Sequence, residues 1–340
     1  MRIGLDATYS IDSALSGVGV YSREILEGTA ASGFAERWDW FYRSQRYWRV
    51  RSHPCLRGVT RRLLTDSWGN RSADIFHGLN QRLPRKRFRR QIATFHDLFV
   101  LSGEYSTPEF RERFAEQARE AAAGADLIIA VSRFTADQVE ALLGYPASRI
   151  RVVHHGVSPR IIPRVAREKV VLCVGAIQRR KNQAGLVRAF AALPSDWTLV
   201  LAGSQGFAAQ DTLSEVERSP ARGRIRLTGY LSEAELSAWY GRAGIFAFPS
   251  FDEGFGMPVL EAMAAGIPVI TSNRSALPEI AGNAAILVSP DRDEELAEAL
   301  RTIASDDDTR DRLIALGRAR VSGFNWTRAV SETLAVYGRV

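Results

Sequence analysis

The chain has 340 residues, of which 46% are hydrophobic and 24% are charged. This composition excludes a disordered, collagen-like or coiled-coil protein and is typical of a packed protein with two domains of about 150 residues each. No apolar run approaches the roughly 18 residues of a membrane-spanning helix. The N-terminus reaches Asp6 without an apolar core, so we expect no export and a cytoplasmic protein. The two cysteines, Cys55 and Cys173, lack the spacing of a zinc site, and Cys173 is expected to be a plain buried thiol.

Short apolar runs alternate with helical patterns along the whole chain, which is typical of βαβ units and parallel sheets. In the first half, the predicted strands are 2–7, 38–42, 75–77, 91–95, 126–131 and 149–154, and the predicted helices are 18–31, 108–123 and 134–143. In the second half, the predicted strands are 169–174, 197–201, 225–227, 245–248, 267–271 and 284–288, and the predicted helices are 183–193, 233–242, 258–265, 293–303 and a last one within 324–337.

The segment Gly156–Pro163 contains two prolines and has no periodicity, so we interpret it as a linker between domains. The predicted fold class is α/β, with two Rossmann-like doubly wound domains that face each other. Ligands of such sheets bind beyond the carboxyl ends of the strands, which favours a site in the cleft between the domains.

The net charge of +7 is concentrated in one part of the sequence. Residues 35–95 contain 15 Lys and Arg against four Asp and Glu. Within residues 37–90, which we call the basic window, aromatic residues lie among the arginines: Trp38, Trp40, Phe41, Tyr42, Tyr47, Trp48 and Trp68. This mixture suits an anionic membrane surface, whereas a solvated surface above core aromatics is the alternative.

Two glutamates flank a glycine turn in the segment Phe248–Met263. The segment follows a predicted strand and opens a helix, whose first amides can bind a diphosphate. Glu261 lies one turn into that helix, where a carboxylate can accept both hydrogen bonds of a ribose diol. Glu253 lies in the preceding loop and can reach the sugar.

A second basic turn follows the first strand of the second domain, at Gly175–Asn182. Arg180 and Lys181 suit a diphosphate leaving group because they neutralise its developing charge. The chain has three lysines against 42 arginines, so the presence of one of the three at this position indicates a specific role for Lys181.

Three further segments are weaker as isolated patterns. Gly17 and Gly19 follow the first strand and can let a phosphate approach the backbone. His96 ends a strand beside Asp97, and carboxylates orient imidazoles. Gly229-Tyr230-Leu231 precedes a helix for which Ser232 is a good N-cap.

These segments resemble the retaining, GT-B-fold glycosyltransferases of family 4. The pair Glu253 and Glu261 resembles the Glu-x7-Glu motif of that family, and Ala264–Ile270 and Ser275–Ile280 match the segments that follow it. Gly175–Asn182 is similar to the family's Arg-Lys-Asn loop, although Ala176 stands where some relatives have a further arginine.

The resemblance implies a role for each matching residue. The catalytic group would be His96, which lies over the donor sugar, Asp97 as its support, Glu253 at the sugar, and Arg180 and Lys181 at the diphosphate. The donor-binding residues would be Gly17, Gly19, Gly229, Tyr230, Leu231, Phe255, Gly256, Met257 and Glu261. The implied domains are an acceptor-side domain (1–160), a donor-binding domain (161–322) and a C-terminal helix packing on the first domain (323–340), with Trp326 as a packing anchor.

The implied reaction transfers a hexose from a nucleotide-diphosphate sugar to a hydroxyl acceptor, with no metal and no cofactor. We expect a mannosyltransferase that uses GDP-mannose and a lipid-linked saccharide in surface-polysaccharide assembly, with peripheral attachment to the inner membrane face through the basic window. A GT-B sugar-nucleotide epimerase and a basic nucleic-acid-binding protein are the alternatives. The sequence shows no nucleic-acid recognition motif, so we expect no nucleic-acid partner. His77 is expected to be structural, and His154 and His155 are left without a role.

Overall fold

The chain divides into two compact units in a computed structural model that describes residues 1–12, 15–52, 56–65, 72–158, 160–163 and 165–340. The first unit is formed by Met1–Ser102, Pro108–Gly156 and Phe324–Val340, and the second by Gly103–Thr107 and Val157–Gly323. The main boundary therefore lies within the proline-containing segment interpreted above as a linker. Cys55 and Trp68 lie outside the described residues.

The strands are close to the predicted ones and are numbered in chain order. They are β1 (Arg2–Asp6), β2 (Arg37–Arg43), β3 (Val59–Leu64), β4 (Ile75–Gly78), β5 (Arg90–Phe95), β6 (Leu127–Ala130), β7 (Ile150–Val152), β8 (Glu168–Val174), β9 (Thr198–Ala202), β10 (Ile225–Gly229), β11 (Ala243–Phe248), β12 (Val269–Ser272) and β13 (Ala285–Val288).

The helices follow the same numbering. They are α1 (Gly17–Ala31), α2 (Ser44–Tyr47), α3 (Phe99–Ser102), α4 (Pro108–Gly124), α5 (Arg133–Leu143), α6 (Gln183–Phe190), α7 (Ala209–Arg218), α8 (Glu233–Arg242), α9 (Met257–Ala264), α10 (Leu277–Ala281), α11 (Asp293–Ser305), α12 (Asp307–Val321) and α13 (Trp326–Tyr337).

Each unit is built on one parallel sheet. The first sheet has the strand order β3-β2-β1-β4-β5-β6-β7, and the second has the order β10-β9-β8-β11-β12-β13. The paired strands run parallel in both sheets. In each sheet the chain first adds strands on one side of the first strand and then crosses to the other side. This reversal creates a topological switch point between β1 and β4 and another between β8 and β11.

Most aromatic residues at the start of the basic window belong to the core and not to a surface. Trp38, Trp40, Phe41 and Tyr42 are buried on both faces of β2. A strand of a parallel sheet is covered on both sides, so consecutive apolar residues are expected there. The prediction of an aromatic membrane surface is therefore wrong for these four residues, and the alternative of core aromatics is correct. Tyr47 and Trp48 are exposed, Trp48 by 70%.

The structure contains elements that the sequence did not predict. β3 carries Arg61 and Arg62 in its middle and lies at the edge of the first sheet, where charged residues are tolerated and hide the strand pattern. α7 and α12 were also missed. Asp306 accepts a hydrogen bond from the backbone N–H of Thr309 and is therefore the N-cap of α12.

Helix α13 returns to the first unit and packs against α1. A Cβ added to Gly28 of α1 would lie 2.5 Å from Cγ2 of Val330, so the two helices touch closely at this glycine. At the start of α13, the ring of Trp326 lies 5.8 Å from the ring of His155 and 6.3 Å from that of Tyr21. Trp326 thus packs in the first unit, as the prediction of a packing anchor requires.

Candidate functional site

The predicted donor segments of the second unit meet at its topological switch point. Gly175–Asn182 follows β8, and the loop that contains Glu253 follows β11, which is the neighbour of β8 in the sheet. The backbone N–H of Phe251 donates to the carbonyl of Arg180 at 2.8 Å and joins the two loops directly. Two segments that are about 70 residues apart therefore form one surface beyond the carboxyl ends of the strands.

Glu253 is the centre of a buried ion cluster. Its carboxylate lies 2.9 Å from the guanidinium of Arg180 and 2.7 Å from Nζ of Lys181. Arg180 also donates to the backbone carbonyl of Asp252, and Nζ of Lys181 lies 4.6 Å from the centre of the Phe248 ring. Arg180 and Lys181 are cationic donors of the kind that bind a diphosphate, although the carboxylates of Glu253 and the neighbouring buried Asp252 offset their charge.

Burial and charge act in opposite directions on this cluster. Burial alone would raise the pKa of Glu253, but Arg180 and Lys181 outweigh it and lower that pKa to about 2. Burial lowers the pKa of Lys181, and Glu253 offsets part of that change. Cys173, on β8 beneath the cluster, is 1% exposed, and burial raises its thiol pKa to about 12. The expectation of a plain buried thiol is confirmed.

A third predicted segment holds the Glu253 loop in place. The backbone N–H of Glu253 donates to Oγ of Ser275 at 3.1 Å, and the N–H of Ala276 donates to the carbonyl of Glu253 at 3.2 Å. Gly256 ends the loop in the left-handed region with φ 102° and begins α9. A side chain at Gly256 would meet Cδ2 of Leu277 at 2.6 Å, so glycine is required there for two reasons.

Glu261 lies in α9 and is held by two groups that the sequence did not indicate. Tyr240 of α8 donates its hydroxyl to Oε2 at 2.8 Å, and Arg160 donates to Oε1 at 2.8 Å. Arg160 also pairs with Glu233 and lies over the ring of Tyr240, 5.5 Å from its centre. Burial and the carboxylate of Glu261 raise the pKa of Tyr240 well above its usual value, so its hydroxyl remains a donor.

These two residues could not be identified from local patterns. Arg160 lies in the proline-containing segment, where the sequence predicts a solvent-exposed arginine. For Tyr240 the sequence predicts an apolar residue on one face of an amphipathic helix. Their hydroxyl and guanidinium groups reach Glu261 only because α8 and the segment after Val157 pack beside α9 in the second unit. No signal in the sequence marks that contact.

The remaining predicted donor residues of the second unit lie in two loops. Gly229 ends β10 with φ 68°, and Tyr230 is 66% exposed. Ser232 caps α8 through a capping box with Glu235, as its position in the sequence indicates. Phe255 is buried before the start of α9, while Met257 is the first residue of that helix.

In the first unit, His96 is buried at the end of β5. Its Nε2 lies 3.0 Å from the carbonyl of Leu79, which can only accept, so Nε2 carries the proton. The expectation that Asp97 supports this ring stays a prediction, and the contact that the structure shows at Nε2 is the one with the Leu79 carbonyl. That carbonyl belongs to the connection between β4 and β5. Burial lowers the pKa of His96 to about 4.

His77 has a structural role, as predicted. Its Nδ1 lies 2.7 Å from the hydroxyl of Tyr337 and its Nε2 lies 2.8 Å from Oγ1 of Thr94. Thr94 in turn contacts the hydroxyl of Tyr21 at 2.9 Å. This buried chain joins β4, β5, α1 and α13, and both nitrogens of the imidazole are used in it.

The glycine segment begins α1 one residue earlier than predicted. Ser16 caps the helix by accepting from the N–H of Gly19. Among the described residues, a Cβ on Gly17 would meet no atom within 4 Å, whereas one on Gly19 would lie 2.9 Å from the carbonyl oxygen of Tyr9. Gly17 therefore leaves open space at the helix start, and Gly19 is needed for close packing.

No helix in the described part of the chain combines the length and the apolar character needed to cross a membrane. Within the same residues, no group of three or more His, Cys, Asp or Glu side chains is placed to hold a metal ion.

Comparison with known proteins identifies the family of both units. Residues 158–320 match the family described as "Glycosyl transferases group 1", and residues 16–160 match "Glycosyltransferase Family 4". The chain is 33% identical over 281 residues to the O-antigen chain mannosyltransferase B of Escherichia coli, covering 77% of this chain and 74% of that protein. It is 27% identical over 351 residues to a D-inositol 3-phosphate glycosyltransferase of a Nocardioides species, covering 94% of this chain and 71% of that protein.

The fold is also shared with solved structures. Sucrose-phosphate synthase of Thermosynechococcus elongatus superposes with a TM-score of 0.78 at 22% identity, over 100% of this chain and 98% of the other. None of these comparisons supports the epimerase or the nucleic-acid-binding alternative. The two parallel-sheet units, the Glu253 and Glu261 segments and the matches to both family descriptions lead to one conclusion: the chain belongs to the family 4 glycosyltransferases and has the GT-B fold.

Proposed function

We propose that this glycosyltransferase is a retaining hexosyltransferase that moves mannose from GDP-mannose to a hydroxyl of a lipid-linked saccharide in surface-polysaccharide synthesis. The mannose assignment is supported by the name of the E. coli relative, a mannosyltransferase of the O-antigen chain. The observation that carries the proposal is the buried cluster of Glu253, Arg180 and Lys181, because it holds two cationic donors in the loops that precede the start of α9.

The roles of the cluster follow from its charges. Arg180, Lys181 and the first amides of α9 stabilise the diphosphate as it leaves the sugar. Glu253 stays ionised because its pKa is about 2, so it accepts hydrogen bonds from the hydroxyls of the sugar. Glu261 accepts those of the ribose, and the loop from Gly229 to Leu231 contacts the base through its backbone.

We propose front-face displacement as the route to retention. The bond from the sugar carbon to the diphosphate oxygen breaks, and the acceptor oxygen bonds to the same face of that carbon. The departing phosphate oxygen takes the proton of the acceptor hydroxyl. This route uses neither a metal ion nor a cofactor, because the protein cations already neutralise the leaving group.

Peripheral attachment to an anionic membrane surface is the part of the proposal that depends on the basic window. Its aromatic support is now restricted to the exposed Trp48 and Tyr47, with the guanidinium of Arg49 lying 4.9 Å from the centre of the Trp48 ring. An amphipathic aromatic beside arginines suits the headgroup region. Loss of vesicle binding in Trp48→Ser, with retention in the exposed-aromatic control Phe110→Ser, is the expected result.

The donor site is tested first by thermal shift with GDP, UDP, ADP and dTDP, each with its sugar conjugates and without added metal. A ligand at a hundred times its Kd stabilises the folded protein by about 2.7 kcal/mol. We expect GDP and GDP-mannose to raise the Tm of the wild type and of Glu294→Ala, an exposed control on α11. Glu261→Ala should lose the shift.

A shift with a different nucleotide would show that GDP-mannose is not the donor, and the assignment of the donor site would be unchanged. The absence of any shift, with or without Mg²⁺, would contradict an active donor site. For a metal-independent reaction, we expect product to form from GDP-mannose at the same rate with and without EDTA.

A further inference from the structure

The first unit contains a cavity of about 590 Å³ that is separate from the donor cluster. One wall is the connection between β4 and β5, and the other is α4, with Arg43 at the end of β2 closing one side. The cavity is a groove that runs beside the sheet. None of the predicted catalytic or donor-binding residues lines it, so the donor reaction leaves it without a role, although four of its arginines lie in the basic window.

The lining is rich in arginine. Five arginines and two glutamates contribute to it, and the arginines are Arg43, Arg82, Arg85, Arg87 and Arg113. Guanidinium groups present paired N–H donors that match the oxygens of a phosphate, a geometry that a lysine does not offer. The groove is therefore suited to an anion with several oxygens.

Two of these arginines are already held by acids. Arg43 lies 3.2 Å from Oδ2 of Asp6, and Arg87 lies 2.6 Å from Oδ1 of Asp126. These ion pairs fix the two side chains at the ends of β2 and of the connection. Arg87 leaves more than half of its side chain exposed, so it can bind a further oxygen.

Arg82 and Arg113 differ from that pair. Both are exposed, they lie on opposite walls, and neither has an acid within ion-pair distance among the described residues. Glu116 and Glu120 also line the α4 wall, yet neither pairs with these two arginines. An anion in the groove would give Arg82 and Arg113 the counter-charge that the fold does not supply.

The groove is larger than a phosphate and part of its lining is uncharged, so the anion that fits it carries an attached group. A single phosphate fills only a small part of 590 Å³. Leu83 and Ala121 provide an apolar stretch, and the amide of Gln117 is held by the carbonyl of Gln81 at 3.0 Å. The groove thus combines a basic region with a surface for an attached group.

We propose that this arginine-lined groove binds the phosphate or diphosphate group of a ligand other than the sugar donor. The carrier of that group is either a phosphate-bearing acceptor or an anionic lipid, since both present the same phosphate chemistry. The proposal does not rest on the identity of the donor or on the donor site, because its residues belong to the first unit.

The test compares two double variants with the same change of charge. Arg82→Ser with Arg113→Ser removes one cation from each wall. Arg89→Ser with Arg119→Ser is the matched control, since Arg89 lies in the same connection and Arg119 on the same helix, both exposed and outside the lining. Circular dichroism and Tm establish that each variant is folded.

The probe is inorganic pyrophosphate, titrated by calorimetry at low ionic strength. We expect two sites in the wild type and in the control, one at the donor cluster and one in the groove. The Arg82→Ser, Arg113→Ser variant should lose one site or weaken it at least tenfold. If the wild type has no pyrophosphate site that depends on Arg82 and Arg113, or if the control loses binding equally, the proposal is wrong.

A second arm uses vesicles of phosphatidylglycerol and phosphatidylcholine to distinguish the sources. Loss of vesicle binding in the groove variant alone, together with the loss of the pyrophosphate site, assigns the groove to a lipid headgroup. Loss of the pyrophosphate site with vesicle binding unchanged assigns it to a phosphate-bearing acceptor. A failure of nucleotide binding in the thermal-shift screen would affect neither outcome.

Discussion

At the scale of single residues, the donor site depends on carboxylates that the protein already holds in place. Glu253 and Glu261 were both predicted from their spacing around a glycine turn. What holds them differs: Glu253 is neutralised by two buried cations, while Glu261 is oriented by Tyr240 and Arg160. A carboxylate that is oriented before the ligand arrives loses less entropy on binding.

Tyr240→Phe tests whether the hydroxyl positions Glu261 for a ribose. The variant loses a hydrogen bond to a charged group, which contributes about 1.5–3 kcal/mol. We expect the Kd for the nucleoside diphosphate to rise at least fivefold, as measured by calorimetry.

The control is a 2′,3′-dideoxynucleoside diphosphate, which has no ribose diol. It should bind the wild type and Tyr240→Phe equally well. Equal weakening of both ligands would show that Tyr240 acts on the fold of the site and not on the contact between Glu261 and the ribose.

At the scale of elements, the two glycines at the start of α1 have different functions although they are two residues apart. Gly17→Ala adds a methyl group that meets no described residue within 4 Å, whereas Gly19→Ala places one against the carbonyl oxygen of Tyr9. We expect Gly19→Ala to lower the free energy of unfolding by about 1–3 kcal/mol. Gly17→Ala should leave it unchanged or raise it by about 0.5 kcal/mol.

Urea unfolding measures both variants, and nucleotide titration adds a second measurement. If Gly17 leaves room for the donor, Gly17→Ala weakens donor binding while stability is kept. Equal loss of stability in the two variants would contradict the packing difference at the start of the helix.

Also at this scale, the sequence predicted most strands and helices within one or two residues because apolar periodicity is a local property. β3 was not predicted, because it lies at a sheet edge and its arginines interrupt the apolar pattern of a strand. The helices α7 and α12 are polar on average and have only a few buried residues each, so they lack the apolar runs on which the predictions were based.

At the scale of the whole molecule, the described part of the first unit contains three buried imidazoles from separate parts of the chain. Burial lowers the pKa of His77 to about 3 and that of His96 to about 4, and it lowers the pKa of His155 well below its usual value. The unfolded chain binds protons at these histidines from about pH 6.5 downwards. Between that pH and the folded pKa values, the unfolded state therefore holds more protons.

Stability should consequently fall as the pH decreases through this range. Each histidine contributes up to about 1.4 kcal/mol per pH unit. Glu253 does not confound the measurement, because its stabilising effect is lost only below about pH 4.5 as its folded pKa is about 2.

Urea unfolding between pH 7 and pH 5 measures the slope. His96→Gln keeps a donor for the Leu79 carbonyl but cannot be protonated, so its slope should be smaller than that of the wild type. Identical slopes in the wild type and in His96→Gln would contradict a neutral, buried His96.

The sequence by itself determined the α/β architecture, the family and the segments that form the donor site, because periodicity, glycine turns and motif spacing are written in consecutive residues. Only the tertiary structure decided how charges and rings are partnered. It buried the aromatics of β2 inside a sheet, placed the Leu79 carbonyl against Nε2 of His96, brought Tyr240 and Arg160 to Glu261, and left Arg82 and Arg113 facing a groove. These contacts join residues far apart in the chain, and the partner of a polar side chain depends on which strands and helices lie next to each other.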